Sequence, residues 1–115
     1  ASGAENVRQV IKVNPRNYVA HTNRATALYQ QKDYQAAIPE YEWIAKAKPE
    51  LAVVHYFIAT AHDYLREYVD ALVSYETFMA KADPATNQLE IDKVKLRLPT
   101  LRRQIQLKER VNRNP

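Results

Sequence analysis

Apolar residues recur at helical spacing along most of the chain, and short polar clusters interrupt the pattern at regular intervals. Because positions three and four apart share one face of a helix, this spacing predicts four helices, over residues 18–31, 34–47, 51–65 and 68–82. Asn14 and Pro15 precede the first helix and Asp33 precedes the second, as helix-capping chemistry requires. Pro39 lies inside the second helix, where it predicts a bend and not a break. The pattern therefore predicts an all-α fold.

The sequence also repeats itself at a regular interval. When it is shifted so that residue 15 falls on residue 49, ten of the 35 pairs that begin at residues 15–49 are identical, whereas chance would give about two or three. The repeated residues are mainly small or aromatic, and they include Ala25/Ala59, Tyr34/Tyr68, Ala37/Ala71 and Tyr41/Tyr75. Two successive helix pairs, over residues 15–49 and 50–84, are therefore predicted to be copies of one unit.

This 34-residue period resembles that of the tetratricopeptide repeat, whose pattern is W-x2-L-G-x2-Y, then A-x3-F, then P. The first unit reads His21-x2-Arg24-Ala25-x2-Leu28, then Ala37-x3-Tyr41 and Pro49. The second unit reads His55-x2-Ile58-Ala59-x2-His62, then Ala71-x3-Tyr75 and Pro84. The resemblance implies a right-handed solenoid of helical hairpins. Four residues depart from the pattern, because the family usually has aromatic or apolar residues at these positions: His21, Arg24, His55 and His62.

Two further segments flank the repeated units. Residues 3–13 align with residues 37–47 under the same shift, so residues 3–14 are predicted to form the second helix of an incomplete earlier repeat. We therefore expect the chain to begin inside a longer array. After Pro84 the identities stop, and an apolar stripe from Ile91 to Ile105 predicts one long helix over residues 86–109, kinked near Pro99. The segment 85–112 is predicted to cap the last apolar surface of the array.

Composition narrows the chemistry of the protein. The 115 residues are 46% hydrophobic, with one Gly and no Cys, which indicates one folded domain without a glycine-rich phosphate loop or a thiolate site. No apolar run reaches the roughly 18 residues that a membrane span needs. His55 and His62 are seven residues apart, which is not the spacing of metal ligands on a helix. We expect no metal, no cofactor and no enzymatic activity.

The resemblance also implies where a partner would bind. In this family the first helices of stacked repeats line a concave groove that holds an extended or helical peptide. Twelve positions would face that groove: Val19, Thr22, Asn23, Thr26, Tyr29 and Gln30 in the first unit, and Val53, Tyr56, Phe57, Thr60, Asp63 and Tyr64 in the second. The repeat pattern does not require Tyr29, Tyr56 or Tyr64, and tyrosine is favoured at interfaces. The alternative is that these three rings pack against neighbouring helices.

A more specific peptide grip can be tested on the same residues. The segment that begins Thr22-Asn23-Arg24 resembles family members that clamp a peptide's terminal carboxylate with Lys, Asn and Arg. The next unit would have to supply further cations, but it has Val53 and Phe57 at those positions. We therefore expect an apolar, aromatic grip on a protein partner, with Asn23, Thr26, Thr60 and Asp63 as hydrogen-bonding positions.

The net charge of +4 lies in the last segment of the chain. Residues 1–83 have nine basic and ten acidic residues, whereas residues 84–115 have eight and three. An alternative function is therefore an anion-binding or nucleic-acid-binding module that acts through Arg97, Arg102 and Arg103. The cations surround the whole polar arc of the helix, which favours a solvated cap over a nucleic-acid surface. Leu96 and Leu107 lie off the apolar stripe, so self-association is another alternative, and a spacer within a longer array is a third.

Overall fold

The computed structural model describes residues 14–113, which form five helices and no strand. The helices are α1 (Pro15–Gln30), α2 (Tyr34–Ala47), α3 (Ala52–Tyr64), α4 (Tyr68–Lys81) and α5 (Pro84–Arg113). The all-α prediction is confirmed, whereas the helix predicted over residues 3–14 lies outside the described residues except for Asn14. Helix α1 begins three residues earlier than predicted, because the Asn14 side chain accepts hydrogen bonds from the backbone of Arg16 and Asn17. None of the described helices combines the length and apolar character of a membrane span.

The two helix pairs turn in the same way. Lys32 and Arg66, which occupy equivalent positions in the two units, have φ angles of 63° and 62° in the left-handed region. After each of them a backbone N–H reaches back to the preceding helix: Asp33 donates to the Leu28 carbonyl and Glu67 donates to the His62 carbonyl, both at 2.9 Å. This is the Schellman arrangement, which satisfies carbonyls at the end of a helix. The sequence repeat is therefore also a repeat of backbone conformation.

Each helix packs against its neighbours in chain order, and α5 packs on α4 and also contacts α3. Two apolar cores result, one among α1, α2 and α3 and the other among α3, α4 and α5. Ala25 and Ala37 belong to the first core, Ala59 and Ala71 belong to the second, and all four are fully buried. Small side chains at these crossings allow the helices to approach closely. Helix α3 contributes to both cores and so joins the two pairs.

Three of the residues that depart from the tetratricopeptide pattern contact acidic side chains within the fold. The His21 ring stacks on Trp43 with centroids 3.9 Å apart, and its Nδ1 atom lies 2.5 Å from the Glu40 carboxylate. Arg24 donates to the same carboxylate at 3.2 Å. His62 lies 2.9 Å from Glu67. Burial opposes the ionisation of Glu40, but the hydrogen bonds from His21 and Arg24 outweigh it and hold the pKa of Glu40 below its usual value.

The non-helical point of α5 does not lie at Pro99, near which the sequence predicts a kink. Non-helical dihedral angles inside α5 occur at Asn87, where φ is −119° and ψ is 18°. The Asn87 side chain accepts a hydrogen bond from the Asp83 backbone at 3.0 Å, which competes with continuous helix at this point. Pro99 leaves the Lys95 carbonyl without a helical donor, but both residues are exposed and water can solvate that carbonyl. Pro39 is likewise accommodated inside an unbroken α2.

The left-handed turn residues give a first prediction about stability. This conformation costs residues with a Cβ atom about 1 kcal/mol, and glycine avoids that cost. Lys32→Gly and Arg66→Gly are therefore each expected to raise the free energy of unfolding by about 0.5–1 kcal/mol, measured by urea denaturation. Lys46→Gly is the matched control, because Lys46 is exposed within helix α2 and its replacement is expected to destabilise by about 1 kcal/mol. Equal destabilisation by all three variants would contradict this account of the turns.

The Glu40 cluster gives a second prediction, about pH. Because the pKa of Glu40 is lower in the folded chain than its ordinary value of 4.5, its ionised form stabilises the fold above that pH. This contribution is lost as the pH falls through the folded pKa. Glu40→Gln is therefore expected to lower the free energy of unfolding by about 1–2 kcal/mol at pH 7 and by little near pH 3. Glu42→Gln, at an exposed site in the same helix, is the control and should change little at either pH. A pH-independent difference between Glu40→Gln and the wild type would argue against the ionic cluster.

Candidate functional site

One face of the molecule, lined by α1, α3 and α5, carries two neighbouring hollows; we call it the groove face. The first hollow has a volume of about 360 Å³ and lies between α1 and α3, with part of α2 at its base; its lining is Tyr18, Thr22, Thr26, Tyr29, Gln30, Tyr41, Ile44, Leu51, Val53, Val54 and Phe57. The second has about 320 Å³ and lies between α3 and α5; its lining is Tyr56, Thr60, Asp63, Tyr64, Tyr75, Lys93 and Arg97. Helix α3 separates the two hollows and contributes side chains to both.

The fold brings most of the residues assigned to the groove onto this face. Ten of the twelve positions line one hollow or the other. The two that do not are Val19 and Asn23, which are exposed on α1 outside both hollows. Three further residues line the hollows but are not among the twelve predicted positions. Tyr18 lies near the start of α1, Tyr41 belongs to the second helix of the first unit, and Lys93 lies beyond the repeats. The groove face is therefore wider than the two repeat units alone.

Tyr29 lies at the centre of a connected aromatic cluster on the groove face. The Tyr29 ring packs edge to face against Tyr34, Tyr41 and Phe57, with centroids 5.3, 6.1 and 5.5 Å away. Its hydroxyl is 2.8 Å from the Thr60 hydroxyl, which itself donates to the Phe57 carbonyl. Burial raises the pKa of Tyr41 to about 12 and also raises that of Tyr29. Tyr29 and Phe57 therefore hold α1, α2 and α3 together, and the packing interpretation applies to Tyr29.

Tyr64 and Tyr56 are placed differently from Tyr29. Tyr64 is 64% exposed, and one side of its ring stacks on Tyr34 with centroids 4.6 Å apart. Tyr56 is half-buried, and its ring packs against Phe78 of the core, with centroids 5.6 Å apart. Because Tyr34 fixes the orientation of the exposed ring, Tyr64 presents a rigid aromatic surface at the edge of the second hollow.

A partly shielded ion pair joins α3 to α5 beside the second hollow. Arg97 donates to both carboxylate oxygens of Asp63, at 2.8 and 2.7 Å, and its side chain is 26% exposed. The same carboxylate accepts a hydrogen bond from the Tyr75 hydroxyl at 2.9 Å, and Arg97 also donates to Gln104 at 2.6 Å. The hydrogen bond with Asp63 raises the pKa of Arg97. Burial and the negative charge of Asp63 raise the pKa of Tyr75.

This ion pair changes the roles that the sequence suggests for Asp63 and Arg97. Asp63 is already engaged by two side chains, and Arg97 belongs to this network and not to a freely accessible basic surface. Arg102 lies 3.7 Å from Glu76 in an exposed pair, and Arg103 is exposed. One signal in the sequence could have indicated the network: Tyr29, Asp63 and Arg97 follow one another at the interval of the repeat. Helix α5 is therefore aligned by the repeat interval with α1 and α3, which are the first helices of the two units.

Away from the groove face, the structure brings together His62, Glu67 and Asp70, whose ligand-type atoms all lie within 4.8 Å of one another. His62 is hydrogen-bonded to Glu67, which directly precedes α4, and Asp70 lies in the first turn of that helix. Negative charge at a helix N-terminus is stabilised by the helix dipole. The helix dipole therefore accounts for the two carboxylates at the start of α4, and His62 is bonded to one of them.

Comparisons of the chain with protein-family models, with curated proteins and with solved structures found no match. The tetratricopeptide resemblance therefore depends on the residues of the 34-residue period. Function has to be argued from the groove face itself.

The Asp63–Arg97 pair gives a third prediction. A double-mutant cycle with Asp63→Ala and Arg97→Ala is expected to show a coupling free energy of about 1–2 kcal/mol, because the contact is bidentate and mostly shielded from water. The control is the same cycle with Glu76→Ala and Arg102→Ala. That pair also joins α5 to the rest of the fold, but it is exposed and should couple by less than about 0.5 kcal/mol. Equal coupling in the two cycles, measured by urea denaturation, would contradict the role given to the shielded pair.

Proposed function

We propose that this chain is a non-enzymatic, tetratricopeptide-like interaction module that holds a segment of another protein on its groove face. The 34-residue period, the two left-handed turns in equivalent places and the buried alanines at equivalent helix crossings support membership of that family. In such units the first helices of successive pairs line the binding surface. Here α1, α3 and α5 have those places.

The observation that carries the proposal is the pair of adjoining hollows with aromatic walls. Together they offer two recesses that suit apolar side chains, separated by α3 and bordered by Phe57 on one side and Tyr56 on the other. Exposed polar groups at Thr26 and Gln30 edge the first recess, and Lys93 edges the second. A partner segment that places one apolar side chain in each recess would bury aromatic surface at little cost in side-chain entropy.

The titratable groups of this face favour binding over catalysis. The pKa values of Tyr29, Tyr41, Tyr56 and Tyr75 are all raised, with burial as the largest cause, so their hydroxyls stay protonated at neutral pH. Asp63 is held by Arg97 and Tyr75 and is not positioned as a free general base. The hydroxyls of Tyr29 and Tyr75 are already bonded to Thr60 and Asp63, so this face offers a ligand mainly aromatic surface.

The alternative function, binding of nucleic acid or another anion through the basic last helix, has less support. Of the three arginines assigned to it, Arg97 is committed to Asp63 and Arg102 lies near Glu76. Arg103 alone does not make a phosphate-tracking surface, which requires several cations gathered in one stripe. Binding of a partner segment on the groove face is therefore the function that the geometry supports best.

The proposal is tested by selecting peptides from a random displayed library on the wild-type chain and measuring their affinity for variants. Tyr64→Ala removes the exposed ring, and Thr26→Arg fills the mouth of the first hollow. Each is expected to weaken binding of the selected peptides by about tenfold or more. Amide NMR of the wild-type chain should show the largest shifts at residues that line the two hollows.

Val73→Arg is the matched control, because Val73 is a 58% exposed apolar residue of α4 that lies outside both hollows. It is expected to leave peptide affinity unchanged. Peptides that bind equally well to Tyr64→Ala and Thr26→Arg, or a library that yields no binder, would overturn the proposed function.

A further inference from the structure

Helix α5 has a second apolar stripe on the side turned away from the core. Leu89, Leu96, Leu107 and Val111 are 62%, 81%, 50% and 70% exposed. At about 100° per residue these four positions fall within a sector of about 60°. The residues of α5 that pack on the rest of the fold, such as Val94 and Leu101, point to the opposite side of the helix. We call this unpartnered stripe the outer face of α5.

The earlier units show what covers an equivalent face. Arg97 follows Asp63 by one repeat interval and contacts it, so α5 corresponds to α3, the first helix of the second unit. At the same interval Leu89 corresponds to His55, and Leu96 corresponds to His62. In the first unit the corresponding residues His21 and Leu28 pack against α2, and His21 does so by stacking on Trp43. In the first unit, therefore, this face of the first helix is covered by α2, and in the second unit His62 contacts Glu67, which directly precedes α4. The outer face of α5 has the form of a surface that accepts a helix.

The charges beside the outer face describe the helix that would fit. Lys93 occupies the repeat position that is Ala25 in the first unit and Ala59 in the second. Both alanines are fully buried where two helices cross closely. An alanine-lined second helix of the usual kind would leave the Lys93 ammonium without a partner at that crossing, which is costly. Arg103 and Arg110 lie along the other edge of the stripe, where Asp92 is the acidic residue. A second copy of α5 would bring like charges together, whereas a helix with carboxylates would pair with them.

We propose that the outer face of α5 binds an amphipathic α-helix of a partner protein, one that carries acidic residues beside its apolar stripe. The helix lies along α5 as α2 lies along α1, with apolar side chains against Leu96 and Leu107 and a carboxylate opposite Lys93 or Arg103. This surface adjoins the groove face at Lys93, which lines the second hollow, but its four apolar residues lie outside both hollows.

A library of helix-forming peptides, displayed and selected on a chain whose two hollows are disabled by Thr26→Arg and Tyr64→Ala, tests the inference. The selected peptides are expected to combine an apolar stripe at i, i+3, i+4 and i+7 with two or more Asp or Glu residues. Leu96→Lys should weaken their binding by about tenfold or more, since a buried leucine contact is replaced by an unmatched charge. Binding should also weaken as salt is raised.

Charge exchange makes the acidic character of the partner falsifiable. Arg103→Glu is expected to lower the affinity several-fold, and changing the facing peptide carboxylate to Lys should restore it. Val73→Lys, at an exposed apolar site on α4, is the control and should leave binding unchanged. Leu96 is 81% exposed, so Leu96→Lys should keep the thermal stability of the wild type.

Several outcomes would overturn the proposal. Failure to select any peptide sensitive to Leu96→Lys would remove the outer face as a binding site. Selection of basic peptides, or affinity that does not change on Arg103→Glu, would remove the acidic helix as its occupant. A dimer of the chain alone, seen by analytical ultracentrifugation and abolished by Leu96→Lys, would assign this face to a second copy instead. Since Tyr64 is not part of this face, Tyr64→Ala separates a failure here from a failure of the groove proposal.

Discussion

Close packing of α3 against helices on both sides is the constraint on which the rest of the structure depends. Val54 and Ile58 of α3 are buried in the core with α1 and α2, whereas Ala52 and Ala59 are buried in the core with α4 and α5. A helix that is packed on two sides needs small side chains where its neighbours cross most closely. Loss of this double contact would separate the chain into helix pairs that are each too small to bury a core of their own.

The groove face follows from the same arrangement. Since α3 is held between two cores, its remaining exposed side is fixed in orientation, and Tyr56, Phe57 and Tyr64 project from it as a rigid set. Tyr29 and Tyr34 pack against these rings from the first unit, so the aromatic surface is organised before any partner binds. Preorganised aromatic rings lose little entropy on binding, which is the physical basis for the proposal that this face binds a partner.

Polar interactions between the helices are concentrated at Glu40 and at Asp63. His21 and Arg24 share Glu40, and Asp63 receives Arg97 and Tyr75. Each of these contacts joins two helices with a charged group that is partly shielded from water, where an unpaired partner would be costly. The Asp63–Arg97 pair also anchors α5, whose Val94 and Leu101 are fully buried, and the outer face lies on the opposite side of this helix.

The sequence by itself determined the helices, the 34-residue period and most of the groove face, because these depend on local spacing and on turns that involve neighbouring residues. It also indicated the two apolar sides of α5 through Leu96 and Leu107. Only the tertiary structure decided that Arg97 is committed to Asp63, that Tyr29 is a packing residue whereas Tyr64 is exposed, and that the backbone of α5 is non-helical at Asn87 and not near Pro99. These outcomes depend on which side chains of distant segments meet and exclude water, and that information is absent from the spacing of residues within one helix.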